Sequence, residues 1–137
     1  MELAPAAKPY HADFSIVYSC QYHVIFCPKY RRAVLVDAVA ARLKQLILDK
    51  QHDYGYAVMQ QEIMPDHVHL LLDVDPRVGI ASVVAKIKGY TSHELREQFP
   101  WLKKRLPTLW TRSKFISSVG AVTLDVVQQY IANQKGV

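Results

Sequence analysis

The chain has 137 residues but only two cysteines, Cys20 and Cys27, and they form no C-x-x-C pair. That excludes a zinc ribbon and a disulfide framework, and leaves two free, buried thiols in a reducing compartment as the expectation. No run of 18 apolar residues occurs, so no segment is expected to span a membrane. Residues 1–9 lack the basic region and long apolar core of a signal peptide. They read as part of a loose tail over 1–14, and the protein reads as cytosolic. Internal repeats and low-complexity tracts are also missing.

What is present is an even spread of apolar residues, half of the total. This amount suits one domain over 15–137 with a real core, not two. The net charge of +5 is compatible with a polyanionic partner and equally with an ordinary basic enzyme.

Periodicity orders the chain. Residues 15–27 are rich in β-branched and aromatic side chains and predict a strand ended by Pro28. Lys29-Tyr30-Arg31-Arg32 follows as a basic loop with an aromatic inside it. From Asp37, a plausible N-cap, Val39, Leu43, Leu46 and Ile47 form a helical stripe. His52 to Gly55 breaks it, and Tyr56 opens a second strand. A turn at Met64-Pro65-Asp66 leads into a third, which Asp75-Pro76-Arg77 stops. Ile80, Val83, Val84, Ile87 and Leu95 mark a second helix ending before Pro100. A connector carrying Lys103, Lys104 and Arg105 reads as a solvated turn. Trp110 to Ser117 has the composition of a fourth strand, and Thr123 caps a last helix with Val126, Val127, Tyr130 and Ile131. The order β-α-β-β-α-β-α is an α+β, ferredoxin-like split βαβ arrangement with an antiparallel sheet and an added C-terminal helix. With helices on one face, the other is left for a site.

The run around which the chain is organised is His67-Val68-His69. Strand side chains alternate between faces, so His67 and His69 share one and Val68, Leu70 and Leu72 the other. Two neutral imidazoles at such positions converge on one metal ion, provided a third ligand comes from elsewhere. A lone His-x-His is weak, because a strand histidine is more often a surface or satisfied core residue. The last helix offers the missing parts. Tyr130 and Gln134 lie four apart, on one helical face. A carboxamide oxygen from Gln134 completes a donor set with open positions for a phosphate oxygen, and Tyr130 becomes the candidate nucleophile. The bland alternatives are a core tyrosine beside Val126, Val127 and Ile131, and a solvated glutamine. No general base for the phenol is identifiable.

These residues carry a resemblance. Tyr22 to Phe26, Pro28 to Arg32, Pro65 to Leu72, Lys86 to Gly89, Phe115 to Gly120 and Tyr130 to Gln134 follow the pattern of the IS200-like single-domain HUH tyrosine transposases, in the family's order. No motif departs from it. The resemblance implies that His67, His69 and Gln134 hold Mg²⁺ or Mn²⁺, although two imidazoles in isolation suit Zn²⁺ or Mn²⁺ better than Mg²⁺. It further implies that Tyr130 forms a 5′-phosphotyrosine while releasing a 3′-hydroxyl. It implies recognition of hairpins in single-stranded DNA at element ends, and a homodimer with active sites shared between subunits.

For DNA, Lys29, Arg31, Arg32, Lys86 and Lys88 are the candidate phosphate contacts and Tyr30 a candidate stacking platform. His23 is assigned a structural hydrogen bond. Three rival readings stand: a metal-dependent hydrolase that does not need Tyr130, a non-catalytic binder of single strands, and a domesticated, repeat-associated relative with the same site residues. The second lacks the Gly-aromatic run that would support it.

Overall fold

The structure, a computed structural model, describes residues 11–12, 16–120, 128 and 132. Its main sheet has four antiparallel strands: β3 (Gln21–Phe26), β4 (Tyr56–Met64), β5 (His67–Val74) and β6 (Phe115–Ser118), in the order β4-β5-β3-β6. Helices α1 (Asp37–Asp49), α2 (Gln51–Tyr54), α3 (Ile80–Gln98) and α4 (Pro100–Arg105) complete the unit. Taking the four sheet strands by chain order, second, third, first and fourth lie side by side, which is the split βαβ topology the sequence predicts.

Alternation explains the layering. Val24 and Phe26 of β3 and Val68, Leu70 and Leu72 of β5 are buried on one face, where Val39, Leu43, Leu46 and Ile47 of α1 and Val83, Val84 and Ile87 of α3 cover them. Each such aliphatic side chain contributes about 1.5–3 kcal/mol by leaving water. The two helices also pack on each other, and Arg42 Nε donates to Gln98 Oε1 across them at 2.8 Å. The turn from α2 into β4 needs a glycine. Gly55 has φ +78°, and a Cβ there would sit 2.8 Å from Val78 Cγ2.

Several expectations are corrected. Within the stretch read as a loose tail, His11–Ala12 (β1) pairs antiparallel with Val17–Tyr18 (β2). The hairpin is fastened by His11 Nε2 on Asp73 Oδ2 at 3.0 Å. The strand expected over 15–27 is split at Ser19–Cys20, where the Cys20 amide donates to the Asp73 side chain at Oδ1 instead of to a main-chain carbonyl. Asp37 does not cap α1: Val36 occupies that position, no side chain caps it, and Asp37 itself takes φ 49°. Pro100 does not merely stop α3 but opens α4 from its first turn, where a missing N–H costs nothing. The fourth strand begins at Phe115, while Trp110 makes only an isolated bridge to Pro28. Cys20 and Cys27 are free, as expected, but half-buried. Among the described residues, no helix is long and apolar enough to cross a membrane.

Candidate active site

The sheet face away from the helices carries the two histidines. In β5 it presents His67, His69, Leu71 and Asp73; the register sets Met64 opposite His67, with Glu62 opposite His69 on one side and Ile25 on the other. Phe115 follows beyond Ile25. A bulge between Val58 and Gln60 makes this possible. It inserts Met59 as an extra residue, so that Gln60, Glu62 and Met64 share the face of the histidines. The face is graded. Asp73, Leu71 and Gln21 are buried at one end, whereas at the other the His67 side chain is 26% exposed and Phe115 is 55% exposed. A cavity of about 410 Å³ lies against it, lined by Gln60, Gln61, Glu62, His69 and Leu71.

Each histidine has one ring nitrogen engaged. His67 Nδ1 lies 2.9 Å from Asp66 Oδ1. A neutral His67 there donates from Nδ1 and keeps its lone pair on Nε2. The same carboxylate accepts from Arg31 Nη2 on Oδ2 at 2.8 Å. Hydrogen bonds from His67 and then Arg31 hold Asp66 below the ordinary carboxylate range. His69 Nε2 lies 2.9 Å from Nδ1 of the fully buried His23, and the two rings stack with centroids 5.1 Å apart. His23 therefore has the structural hydrogen bond assigned to it from sequence, while its Nε2 is buried without a partner. Burial pushes the His69 imidazole below its ordinary value, and the adjacent His23 lowers it further. A neutral imidazole is the form that binds a metal. His67 thus has the chemistry of a ligand supported from behind, and His69 has it in the tautomer whose Nε2–H donates to His23 and leaves the Nδ1 lone pair free. Among the described residues, however, no three His, Cys, Asp or Glu side chains are grouped to hold an ion.

The other expected members of the site, Tyr130 and Gln134, lie outside the described residues, as do Thr123, Val126, Val127 and Ile131, on which a last helix is expected from sequence. Gln128 and Ala132 are helical and exposed.

The basic candidates separate. Lys29, Tyr30 and Arg31 form a single 3₁₀ turn in which Tyr30 and Arg31 take φ 59° and 50°. Left-handed backbone at two successive non-glycine residues costs about 1–3 kcal/mol each. The Lys29 amide bond to Leu109 O at 2.8 Å and the Thr111 amide bond to Cys27 O at 3.0 Å hold the turn against residues 109–111. Lys29 and Lys88 consequently meet in one groove of about 420 Å³, together with Ser92, Trp110 and Arg112. Tyr30 is 64% exposed, with Lys29 Nζ 5.4 Å from its ring centre. Arg32 lines a second cavity with Arg105.

Lys88 is half-buried, and its Nζ donates to Thr111 O at 2.6 Å and to Ser113 O at 3.3 Å. Burial, followed by the nearby Lys114, lowers its pKa. It shapes the groove wall more than it offers a free charge. Lys86, two residues away on the helix, points elsewhere, with Nζ 5.8 Å from the Tyr54 ring. Sequence reasoning passed over Arg112 and read Arg105 as part of a solvated turn, where it is instead the last residue of α4. The signal that could have found Arg112 is its place beside Trp110, just after Pro107. Trp110 itself is a wall, its Nε1 donating to Thr91 Oγ1 at 3.1 Å and its ring edge-on to Phe26.

Comparison with known proteins follows the same line. The model of the IS200-like transposase family matches residues 16–134. The chain is 40% identical over 120 residues to the ISDra2 transposase TnpA of Deinococcus radiodurans, covering 86% of each. It is 33% identical over 123 residues to the transposase for insertion sequence element IS200 of Salmonella typhimurium, covering 85% of this chain and 78% of the other. A crystal structure of a candidate transposase from Deinococcus radiodurans R1 superposes with a TM-score of 0.74 at 38% identity, over 90% of this chain and 97% of that one. The fold is also that of a REP-associated tyrosine transposase solved bound to a REP hairpin, with a TM-score of 0.58 at 13% identity, over 96% of this chain and 68% of the other.

Proposed function

The chain belongs to the IS200-like transposase family, and on that premise we propose that it cuts and rejoins single-stranded DNA at hairpin-bearing element ends, using Tyr130 as nucleophile. The observation that carries the reading is the pair His67 and His69 on one open sheet face, each with a ring nitrogen engaged by a neighbour. In the proposed reaction the Tyr130 oxygen bonds to a backbone phosphorus as the bond from phosphorus to the 3′ oxygen breaks. The phenol loses its proton and the departing oxygen gains one. The products are a 5′-phosphotyrosine and a free 3′-hydroxyl. The covalent link preserves a phosphodiester, so attack by another 3′-hydroxyl rejoins strands without an external energy source.

His67, His69 and Gln134 would hold the Mg²⁺ or Mn²⁺ ion. When bound, such an ion polarises the phosphoryl group and stabilises charge in the transition state. The described residues do the rest. Asp66 and His23 fix the imidazoles, and the groove of Lys29 and Arg112 tracks the phosphates. Tyr30 stacks on an unpaired base, a contact worth about 1–3 kcal/mol. The hairpin in the structure of the REP-associated relative supports a folded-back strand as substrate here. A homodimer with sites shared between subunits is part of the proposal.

The test is strand cleavage of oligonucleotides from both flanks of the encoding gene, with Mg²⁺ or Mn²⁺. Metal-dependent cleavage of one strand at a fixed position supports the reading. Cleavage that survives in Tyr130→Phe would favour the hydrolase instead.

A further inference from the structure

Arg31 is a candidate phosphate contact from sequence, but one of its guanidinium nitrogens is already engaged within the protein. Its Nη2 lies 2.8 Å from Asp66 Oδ2, and the other oxygen of that carboxylate lies 2.9 Å from His67 Nδ1. Arg31 reaches Asp66 from a turn in which two successive non-glycine residues, Tyr30 and Arg31, adopt left-handed backbone. An exposed ion pair adds too little to stability to explain such a turn. Strain at a site of this kind points to function. The segments are also tied by their main chains: the Leu35 amide donates to Pro65 O at 3.0 Å, just before Asp66.

We propose that Asp66 and Arg31 are positioning residues for His67. Asp66 accepts a hydrogen bond from Nδ1–H and thereby selects the tautomer whose Nε2 lone pair is left for a metal ion. Arg31 holds the carboxylate in the orientation that does this. The basic turn carrying Lys29 and Tyr30 is thereby attached to the same carboxylate as the histidine. The inference rests on the reading of His67 as a metal ligand, and it concerns the histidine before any DNA is bound.

Two measurements on the full chain without DNA test it. The first is ¹⁵N NMR of histidine-labelled, metal-free protein, with the His67 signals assigned through His67→Ala. Wild type should show the Nδ1–H tautomer, and Asp66→Ala should move toward Nε2–H. Asp66→Asn, which keeps an acceptor oxygen, should restore the wild-type signature. The second is titration with Mn²⁺ alone. Asp66→Ala should weaken binding by about 10–100-fold, with a smaller loss in Arg31→Ala. If wild type binds Mn²⁺ while both variants match it and the tautomer does not move, the positioning role is overturned and the metal reading survives. Arg31→Ala that matches wild type in Mn²⁺ affinity and tautomer, but loses DNA binding, would return Arg31 to the phosphate contacts. No Mn²⁺ binding by wild type would overturn the metal reading and this inference with it.

Discussion

His23 and His69 face each other across β3 and β5, with Nδ1 of the first 2.9 Å from Nε2 of the second. One of the two nitrogens carries the shared hydrogen, so the pair fixes the orientation of His69. His23 is fully buried and its remaining nitrogen has no partner. Replacing it with a ring that cannot hydrogen-bond should separate stability from activity. His23→Phe is expected to change thermal stability little, because it removes a buried unpartnered nitrogen along with one hydrogen bond. Strand cleavage should fall by about 10–100-fold, the usual effect of freeing a metal ligand from its support. Unchanged cleavage in a folded His23→Phe protein would count against a role for the pair.

A second prediction concerns alkaline stability. The Tyr56 hydroxyl is buried and donates to Ile47 O. Burial raises its pKa well above that of an exposed phenol. The folded state therefore keeps the proton where the unfolded chain loses it. Its contribution is complete below the unfolded value of about 10 and declines as pH rises above it. Chemical unfolding between pH 8 and 11 should show a steeper loss for wild type than for Tyr56→Phe. Parallel curves would contradict this.

The separation of the basic residues gives a third. Lys29→Ala and Arg112→Ala should each reduce the slope of log affinity against log salt by about one unit. Lys86→Ala should leave it unchanged, since Lys86 lies toward Tyr54 and away from the groove. An equal effect of all three, measured by fluorescence anisotropy on a hairpin oligonucleotide, would make the basic surface diffuse and the groove irrelevant.

Metal removal should divide binding from chemistry. EDTA is expected to abolish cleavage while leaving most hairpin binding, because Lys and Arg contacts to phosphate do not need the ion. Gel-shift and cleavage assays on the same samples decide it. Loss of both together would mean that the metal organises the DNA site itself.

Shared sites give a prediction about mixtures. Tyr130→Phe protein mixed with His67→Ala protein should recover part of the cleavage that each lacks alone. No recovery, under conditions where subunits demonstrably exchange, would mean that each subunit completes its own site.

Much of this was legible because alternation is a local signal. Val68, Leu70 and Leu72 against His67 and His69 define both faces of β5 from the sequence alone. Gly55 marks the start of its neighbour β4, and Asp75-Pro76-Arg77 the end of β5 itself, by turn chemistry. What escaped depends on partners distant in sequence. The β1–β2 hairpin is fastened to Asp73, 62 residues from His11, and two-residue strands have no period to read. At the break at Ser19–Cys20 the Cys20 amide meets the same carboxylate. The bulge at Met59 follows from register with β5, which composition does not encode. Lys86 and Lys88 look alike in sequence and differ in their neighbours, the Tyr54 ring for the first and Thr111 O for the second.

The measurement closest to the central claim is the search for a denaturation-resistant adduct. Purified protein would be incubated with Mg²⁺ and single strands from each flank of its gene, beside Tyr130→Phe, and any adduct digested for mass spectrometry. The expected result is an adduct on one strand, absent from the variant, with the DNA phosphate on Tyr130 and a free 3′-hydroxyl on the released fragment. Cleavage without an adduct, or an adduct that persists in Tyr130→Phe, would contradict it.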